Sequence, residues 1–273
     1  MIVWLASYPK SGNTLLRSML AAYFFSKDGI YNFSLIRNIK QFPHGGLFIK
    51  MGIDIKNHNE TVKNYIKAQE SFNKKDAVQF LKTHSYLFNF NKENAFTDVN
   101  NTLGVIYIVR DPRNVVTSFS KYRGLTNEEM ADFMITGSGD GLTWTNNWAS
   151  NFNSWKLFKE HKRYLLIKYE DLINKRELTF LNILNFIHKI TKSKLVLDKE
   201  KFDNTIKTTS FKNMQKLEKE NGFSEAGINE RTGEKVSFFN LGPKNDWRQF
   251  LDPAIIQKIE KAFKKEMEEL GYL

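Results

Sequence analysis

Residues 2–24 compress a strand, a polar turn and a helix into one unit, which constrains this chain more than any other stretch. Ile2-Val3-Trp4-Leu5-Ala6 is an apolar run of strand length. Leu15, Leu16, Met19, Leu20, Tyr23 and Phe24 recur at a spacing that suits one helix face. Between them lies Ser7-Tyr8-Pro9-Lys10-Ser11-Gly12-Asn13-Thr14. A helix start offers N–H groups with no intrahelical acceptor and the positive end of its dipole, so such a turn grips anions, phosphate above all. Lys10 adds a full charge, and Ser11, Asn13 and Thr14 add donors. The plainer reading is a helix start capped by Ser11 or Asn13, with Lys10 in water.

The turn departs from the nucleotide triphosphate loop G-x-x-x-x-G-K-[ST]. Its Lys precedes Ser-Gly, and no glycine stands five residues before Gly12. The chain of 273 residues is 41% hydrophobic and 14% aromatic, enough for a substantial core. No repeat, low-complexity linker or composition break divides it, so residues 1–273 are read as one domain. It has no cysteine, which excludes disulfides, a thiolate metal site and a Cys nucleophile, and fits a reducing compartment. The formal charge of +11, from 41 basic and 30 acidic residues, favours polyanionic ligands: nucleic acid, anionic membrane, or a nucleotide with several phosphates. No apolar run reaches the ~18–20 residues of a membrane span. A leader is not expected either, since its removal would take the phosphate-binding turn with it, and a cytoplasmic location is expected.

Strand and helix alternate along the chain. After a helix over 14–25, residues 26–58 read as an irregular insert, followed by a helix over 61–73 and a strand over 78–82. A continuous apolar run predicts a buried strand over 104–109, and Pro112 starts a helix to 121. Helical periodicity over 145–160, a strand over 164–167, a helix over 175–190 and a last helix from Pro253 to Leu270, with Asp252 as N-cap, complete the pattern. Such alternation argues for an α/β fold with a parallel sheet and ligands at the carboxyl ends of its strands.

Two further segments carry chemistry. Ile108-Val109-Arg110-Asp111-Pro112-Arg113-Asn114-Val115-Val116-Thr117-Ser118 repeats the strand–turn–helix logic, with Arg110 at the strand exit and Ser118 two helical turns on. Arg grips phosphate through two charge-assisted bonds, and a Ser hydroxyl adds a third. The plainer reading is an Arg110–Asp111 surface ion pair, worth ~0–1 kcal/mol. Phe80-Leu81-Lys82-Thr83-His84 puts a histidine just past a predicted strand, where imidazole is suited to taking a proton. His44, His58, His161 and His188 read as packing or surface residues.

In chain order, P-K-S-G-N-T at 9–14, K-T-H at 82–84 and R-D-P-R-N-V-V-T-S at 110–118 resemble three elements of one family: the sulfotransferases that use 3′-phosphoadenosine 5′-phosphosulfate (PAPS). Tyr169-Glu170-Asp171, Thr209-Ser210-Phe211-Lys212-Asn213-Met214 and the region Phe239–Arg248 resemble the family's Y-E-D, T-S-F-x-x-M and F-x-R-K-G-x-x-G-D-W-[KR]. The resemblance runs from residue 2 to about 251. It implies a P-loop-like three-layer fold, with a central, mainly parallel sheet flanked by helices. It also implies in-line transfer of a sulfuryl group to a hydroxyl, or less readily an amine, with release of adenosine 3′,5′-bisphosphate (PAP). The acceptor, a small molecule, lipid or glycan, stays open.

On that resemblance, His84 is the base on the acceptor, Lys82 holds the sulfuryl oxygens, and Lys10 stabilises the leaving phosphate with Thr14 and the amides of Ser11, Gly12, Asn13 and Leu15. Arg110 and Ser118 fix the 3′-phosphate. Tyr169, Thr209, Ser210, Phe211 and Gly242 surround the rest of the nucleotide, with Phe211 stacked on the base. No metal is implied. Two departures stand out. Asn240-Leu241 replace the family's Arg-Lys pair on the 3′-phosphate, so Arg231 is the first candidate to compensate, ahead of Lys244 and Arg248. Leu15 replaces a Trp against the adenine. Trp247 reads as core. Residues 26–75 and 120–155 are expected to build the acceptor pocket, with Phe33, Phe42, Phe48, Phe133, Trp144 and Trp148 as candidates, each of which reads more readily as packing when taken alone. Two other classes compete: a P-loop kinase, which lacks here a clear Mg²⁺-binding carboxylate, and a basic nucleic-acid-binding protein, which gives no reason for Lys10, His84 and Arg110 each to end a strand.

Overall fold

The computed structural model describes residues 1–73, 77–90, 92–137, 139, 142–228 and 233–273. Five strands form a parallel sheet: β1 (Ile2–Ala6), β2 (Lys40–Gln41), β3 (Gln79–Thr83), β4 (Thr102–Val109) and β5 (Tyr164–Lys168), in the order β2-β3-β1-β4-β5. The register of β1 pairs Leu5 with Lys82 on one side and with Ile106 on the other. The chain leaves β1 towards β3 on one side and returns to β4 on the other. The crevice at the carboxyl ends beside β1 is therefore the switch point where open α/β sheets bind ligands.

Both faces of β1 are buried, which explains its unbroken apolar run. Ile2, Trp4 and Ala6 face one core cluster and Val3 and Leu5 the other. Trp4 packs against Phe42, Phe96 and Trp155, and its indole N–H donates to Thr102 Oγ1 at 3.0 Å. The opposite cluster joins the helix Asn13–Phe25 to the helix Arg176–Ile190 through Leu16, Met19, Leu20, Phe180, Ile183 and Leu184.

Several elements differ from the sequence reading. Residues 26–58 hold a 3₁₀ turn (Leu35–Asn38), the edge strand β2 and a helix (Gly45–Lys50). The helix expected over 61–73 breaks into His58–Lys63 and Tyr65–Glu70 around Asn64, whose side chain bonds back to the Glu60 carbonyl oxygen. The last helix breaks at Phe263 into Pro253–Ala262 and Lys264–Glu269, and the Asp252 side chain makes no capping bond. A two-strand antiparallel pair, β6 (Gly227–Ile228) and β7 (Lys235–Val236), lies outside the main sheet.

Candidate active site

The polar turn after β1 is shaped by two left-handed residues, Lys10 at φ 62° and Gly12 at φ 98°. Gly12 is obligatory for a second reason, since a Cβ there would lie 2.4 Å from Cδ2 of Tyr169. Neither Ser11 nor Asn13 caps the following helix. Gly12 occupies the cap position with no side-chain bond. Asn13 instead ties the turn to β1, donating to the Leu5 carbonyl oxygen at 2.8 Å and to Ser7 Oγ at 3.2 Å. The first N–H groups of Asn13–Phe25 are thus left with neither a side-chain cap nor an intrahelical acceptor.

One cavity of about 460 Å³ opens at the carboxyl ends of the strands. Lys10, Gly12, Asn13, Thr14 and Leu15 line it from the first turn, and Lys82 and His84 from the end of β3. Arg110 and Ser118 line it from beyond β4, and Tyr169, Phe211 and Gly242 from later in the chain. Three of its cations are held in a shape suited to an anion. Burial, with Arg110 and Lys82 nearby, lowers the Lys10 ammonium to about 7. Burial lowers Lys82 to about 8. Lys10 Nζ also sits between aromatic faces, 4.2 Å from the Tyr122 ring centroid and 4.1 Å from that of Phe238. Arg110 is buried. It has no carboxylate partner among the described residues, its Nε has no hydrogen-bond partner, and Nη1 donates only to the Lys10 carbonyl oxygen at 3.2 Å. A buried guanidinium without an acid is costly unless an anion completes it.

The helix that presents Ser118 begins with Asp111 as N-cap and Pro112 in its first turn. Asp111 does not pair with Arg110. It binds Arg113, whose guanidinium also reaches Glu260 and the Tyr272 carbonyl oxygen and lies 4.0 Å from the Trp247 ring centroid. The surface-pair reading of Arg110–Asp111 is therefore replaced by an Asp111–Arg113 pair, which leaves Arg110 free to face the cavity.

His84 is oriented by the first turn. Its Nδ1 lies 2.9 Å from the Ser7 carbonyl oxygen, an atom that can only accept, so Nδ1 carries the ring proton. Nε2 is then the basic atom. Burial, together with the Lys82 charge, lowers His84 to about 3 and keeps the imidazole neutral.

The segment 237–240 roofs the cavity. Glu218 accepts from Ser237 Oγ and from the Phe238 and Phe239 amides, and Gln215 donates to the carbonyl oxygens of Phe239 and Asn240. Gly242, at φ 51°, lies so close beneath Phe211 that a Cβ would be 2.1 Å from its ring.

The structure does not bring every expected residue to the cavity. Ser11 is fully buried, does not line it, and its Oγ has no partner. Thr209 is buried away from it, donating to the Thr205 carbonyl oxygen and accepting from Arg176 at 2.6 Å each. Ser210 does not line the cavity either; it precedes the helix Phe211–Asn221, and its side chain makes no capping bond. Arg231 lies outside the described residues. Lys244 and Arg248 do not line the cavity, and Arg248 pairs with Asp246. Phe42, Phe48 and Trp148 are core residues, and Phe33 packs on Phe223 and Phe239. Phe133 packs on Phe119, and Trp144 borders a separate shallow depression with Asp54, Asn57 and His58. The aromatic lining comes instead from Phe119, Tyr122, Tyr169, Phe211, Phe238 and Phe239. Trp247 is partly buried, between the Arg113 and Arg248 guanidinium groups.

Three lining or supporting residues escaped the sequence reading. Lys121 lines the cavity three residues after Ser118, a spacing that shares a helix face and was there to be used. Arg17 and Glu225 form a partly buried pair at 2.5 Å, and Thr14 Oγ1 donates to the same carboxylate at 3.0 Å. Burial raises Glu225, but Lys82, Arg17 and the bonds from Arg17 and Thr14 outweigh it and bring the carboxyl to about 2.

Residues 2–271 match the family described as "Sulfotransferase domain", and the chain belongs to that family. Among curated relatives, the 3-beta-hydroxysteroid sulfotransferase of Cavia porcellus is 27% identical over 169 residues, covering 60% of this chain and 55% of that protein. Cytosolic sulfotransferase 13 of Arabidopsis thaliana is 22% identical over 96% of this chain and 76% of its own length. The chain spans little more than half the length of several of the curated relatives it matches. A mouse sulfotransferase, SULT7A1, solved in complex with PAP, superposes with a TM-score of 0.60 at 20% identity, covering 97% of this chain and 83% of that one. Retinol dehydratase, solved with androsterone and the inactive cofactor PAP, superposes with a TM-score of 0.61 at 16% identity, covering 97% and 80%. These likenesses show the fold: a mainly parallel sheet flanked by helices, as in P-loop-like sulfotransferases.

Proposed function

We propose that this protein transfers a sulfuryl group from PAPS to an acceptor hydroxyl, or less readily an amine, as a single domain in the cytoplasm. One observation carries the reading. Lys10, Lys82, His84, Arg110 and Ser118, from three separate segments, line one cavity in which the buried Arg110 has no acid of its own among the described residues. A ligand with phosphate at both ends of a nucleoside fits that charge pattern. Arg110 and Ser118 would hold the 3′-phosphate. Lys10, Thr14 and the amides of the first turn would hold the 5′-phosphate.

When bound, PAPS supplies a sulfuryl group on a good leaving group, the phosphate of PAP. The protein's part is alignment and charge neutralisation, as in other in-line transfers. His84 Nε2 takes the acceptor's proton as the new oxygen–sulfur bond forms. Lys10 neutralises charge on the bridging oxygen as the sulfur–oxygen bond to phosphate breaks. Lys82 steadies the sulfuryl oxygens. The aromatic lining from Tyr122, Phe119 and Phe238 supports an acceptor with an apolar face. Small molecules, lipids and glycans all present one.

Thermal-shift and calorimetric comparison of PAP, ATP with Mg²⁺ and an oligonucleotide tests the donor. Selective stabilisation by PAP is the expected result, and preference for either other ligand overturns it. Incubation with radiolabelled PAPS and fractionated extract of the source cells then identifies the acceptor.

A further inference from the structure

Glu225 is the one acid among the described residues that line the cavity, and it is bonded to groups that the donor reading above assigns to the 5′ end of PAPS. Its Oε2 accepts from Thr14 Oγ1 at 3.0 Å. Its Oε1 accepts from Arg17 Nη1 at 2.5 Å and lies 3.9 Å from Lys82 Nζ. No other carboxylate pairs with Arg17 or Lys82 among the described residues. A hydroxyl has one hydrogen to give, so Thr14 cannot donate to Glu225 and to a phosphate at once. Two anions crowded onto one set of cations also repel.

The backbone around Glu225 is anchored independently of the bonds its side chain makes. Phe223 is buried, the Ala226 amide donates to the Phe223 carbonyl oxygen, and the Glu225 carbonyl oxygen accepts from Tyr122 Oη at 3.4 Å. Gly227 packs on the Tyr122 ring, where a Cβ would come within 2.8 Å. The Glu225 side chain is 26% exposed, so rotation outward needs no movement of these anchors.

We propose that Glu225 is a built-in competitor for the donor, filling the phosphosulfate cradle in the nucleotide-free protein, turning out to solvent when PAPS binds, and returning as PAP leaves. The carboxylate takes the part that an anionic ligand would otherwise play in neutralising Arg17 and Lys82. It keeps the empty cradle folded and lowers apparent donor affinity by the fraction of molecules in which the cradle is free.

The test is titration calorimetry of the full chain with PAP and with adenosine 3′-monophosphate, which lacks the competing 5′-phosphate. Wild type is compared with Glu225→Gln and Glu225→Asp. The Gln variant should bind PAP about tenfold more tightly, the factor for a cradle that is free about one-tenth of the time. Its affinity for the 3′-monophosphate should stay within about twofold of wild type, by the same relation. The Asp variant keeps the charge that folding needs but reaches less far, so its gain is smaller and of the same sign. Unchanged or weaker PAP binding in both variants overturns the proposal, as does an equal gain for the 3′-monophosphate. Failure of wild type and both variants to bind PAP overturns the donor reading itself, and with it this one.

Discussion

The Nδ1 atom of His84 lies 2.9 Å from the carbonyl oxygen of Ser7, so the turn after β1 that lines the cavity also decides which nitrogen of the histidine is basic. His84→Ala should therefore lower kcat at least ~10²-fold, the lower range for a lost general base. PAP affinity should stay near wild type. Steady-state kinetics with a saturating acceptor check this, and a variant that keeps most of its turnover sinks the base assignment alone.

His84 stands at about 3 in the free protein, so its neutral form persists well below its ordinary range. Bound donor brings negative charge beside Lys82 and favours the imidazolium, which raises the value. The acidic limb of kcat, which reports the complex, should then fall at higher pH than that of kcat/KM for the donor, which reports the free protein. Coincident limbs would refute this.

Lys10 and Lys82 stand at about 7 and about 8 without ligand, so near pH 8 each is partly neutral. A bound anion favours the charged ammonium and raises both values. Binding of PAP should take up protons above about pH 7, and affinity should fall as pH rises from 6 to 9. Calorimetry at pH 8 in two buffers of different ionisation enthalpy measures the uptake. Proton release on binding would contradict the site.

Arg110→Ala should weaken PAP by about 2–4 kcal/mol, the cost of removing a charge-assisted partner of a buried anion. Adenosine 5′-monophosphate should lose far less. Because no acid among the described residues is left unpaired, the ligand-free melting temperature should hold or rise. Equal affinity losses for both nucleotides would move the 3′-phosphate elsewhere.

Lys121 lines the cavity close to Ser118 where Asn240 and Leu241 bring no charge. Lys121→Ala should raise the Kd for PAP about two- to fivefold, the range for an exposed charge contact, and flatten its salt dependence. An unchanged Kd would return attention to Arg231.

The chain order of elements was legible because its causes are local. An apolar run such as Ile106–Val109, followed by Arg-Asp-Pro, needs no distant partner to declare a strand, a turn and a helix start. The placement of Lys10, Lys82, His84, Arg110 and Ser118 along that order was legible for the same reason. Strand β2 was not, since two residues carry no periodicity and Lys40–Gln41 exist as a strand only because the edge of β3 offers them hydrogen bonds. The candidate aromatics stayed open between core and cavity wall because a Phe in either place looks alike in sequence. Only packing makes Phe42 and Phe48 core and leaves Tyr122 and Phe238 on the wall.

The sequence by itself determined the parallel α/β plan and the cation-bearing turns, because backbone preference and side-chain period act over a few residues. Tertiary structure alone decided that Thr209 turns inward to Arg176, that Asp111 serves Arg113 and frees Arg110, and that Glu225 enters the cradle of Thr14, Arg17 and Lys82. Each is a choice among partners far apart in the chain, and charge and hydrogen-bond satisfaction under burial can make that choice only once the fold has brought the partners together.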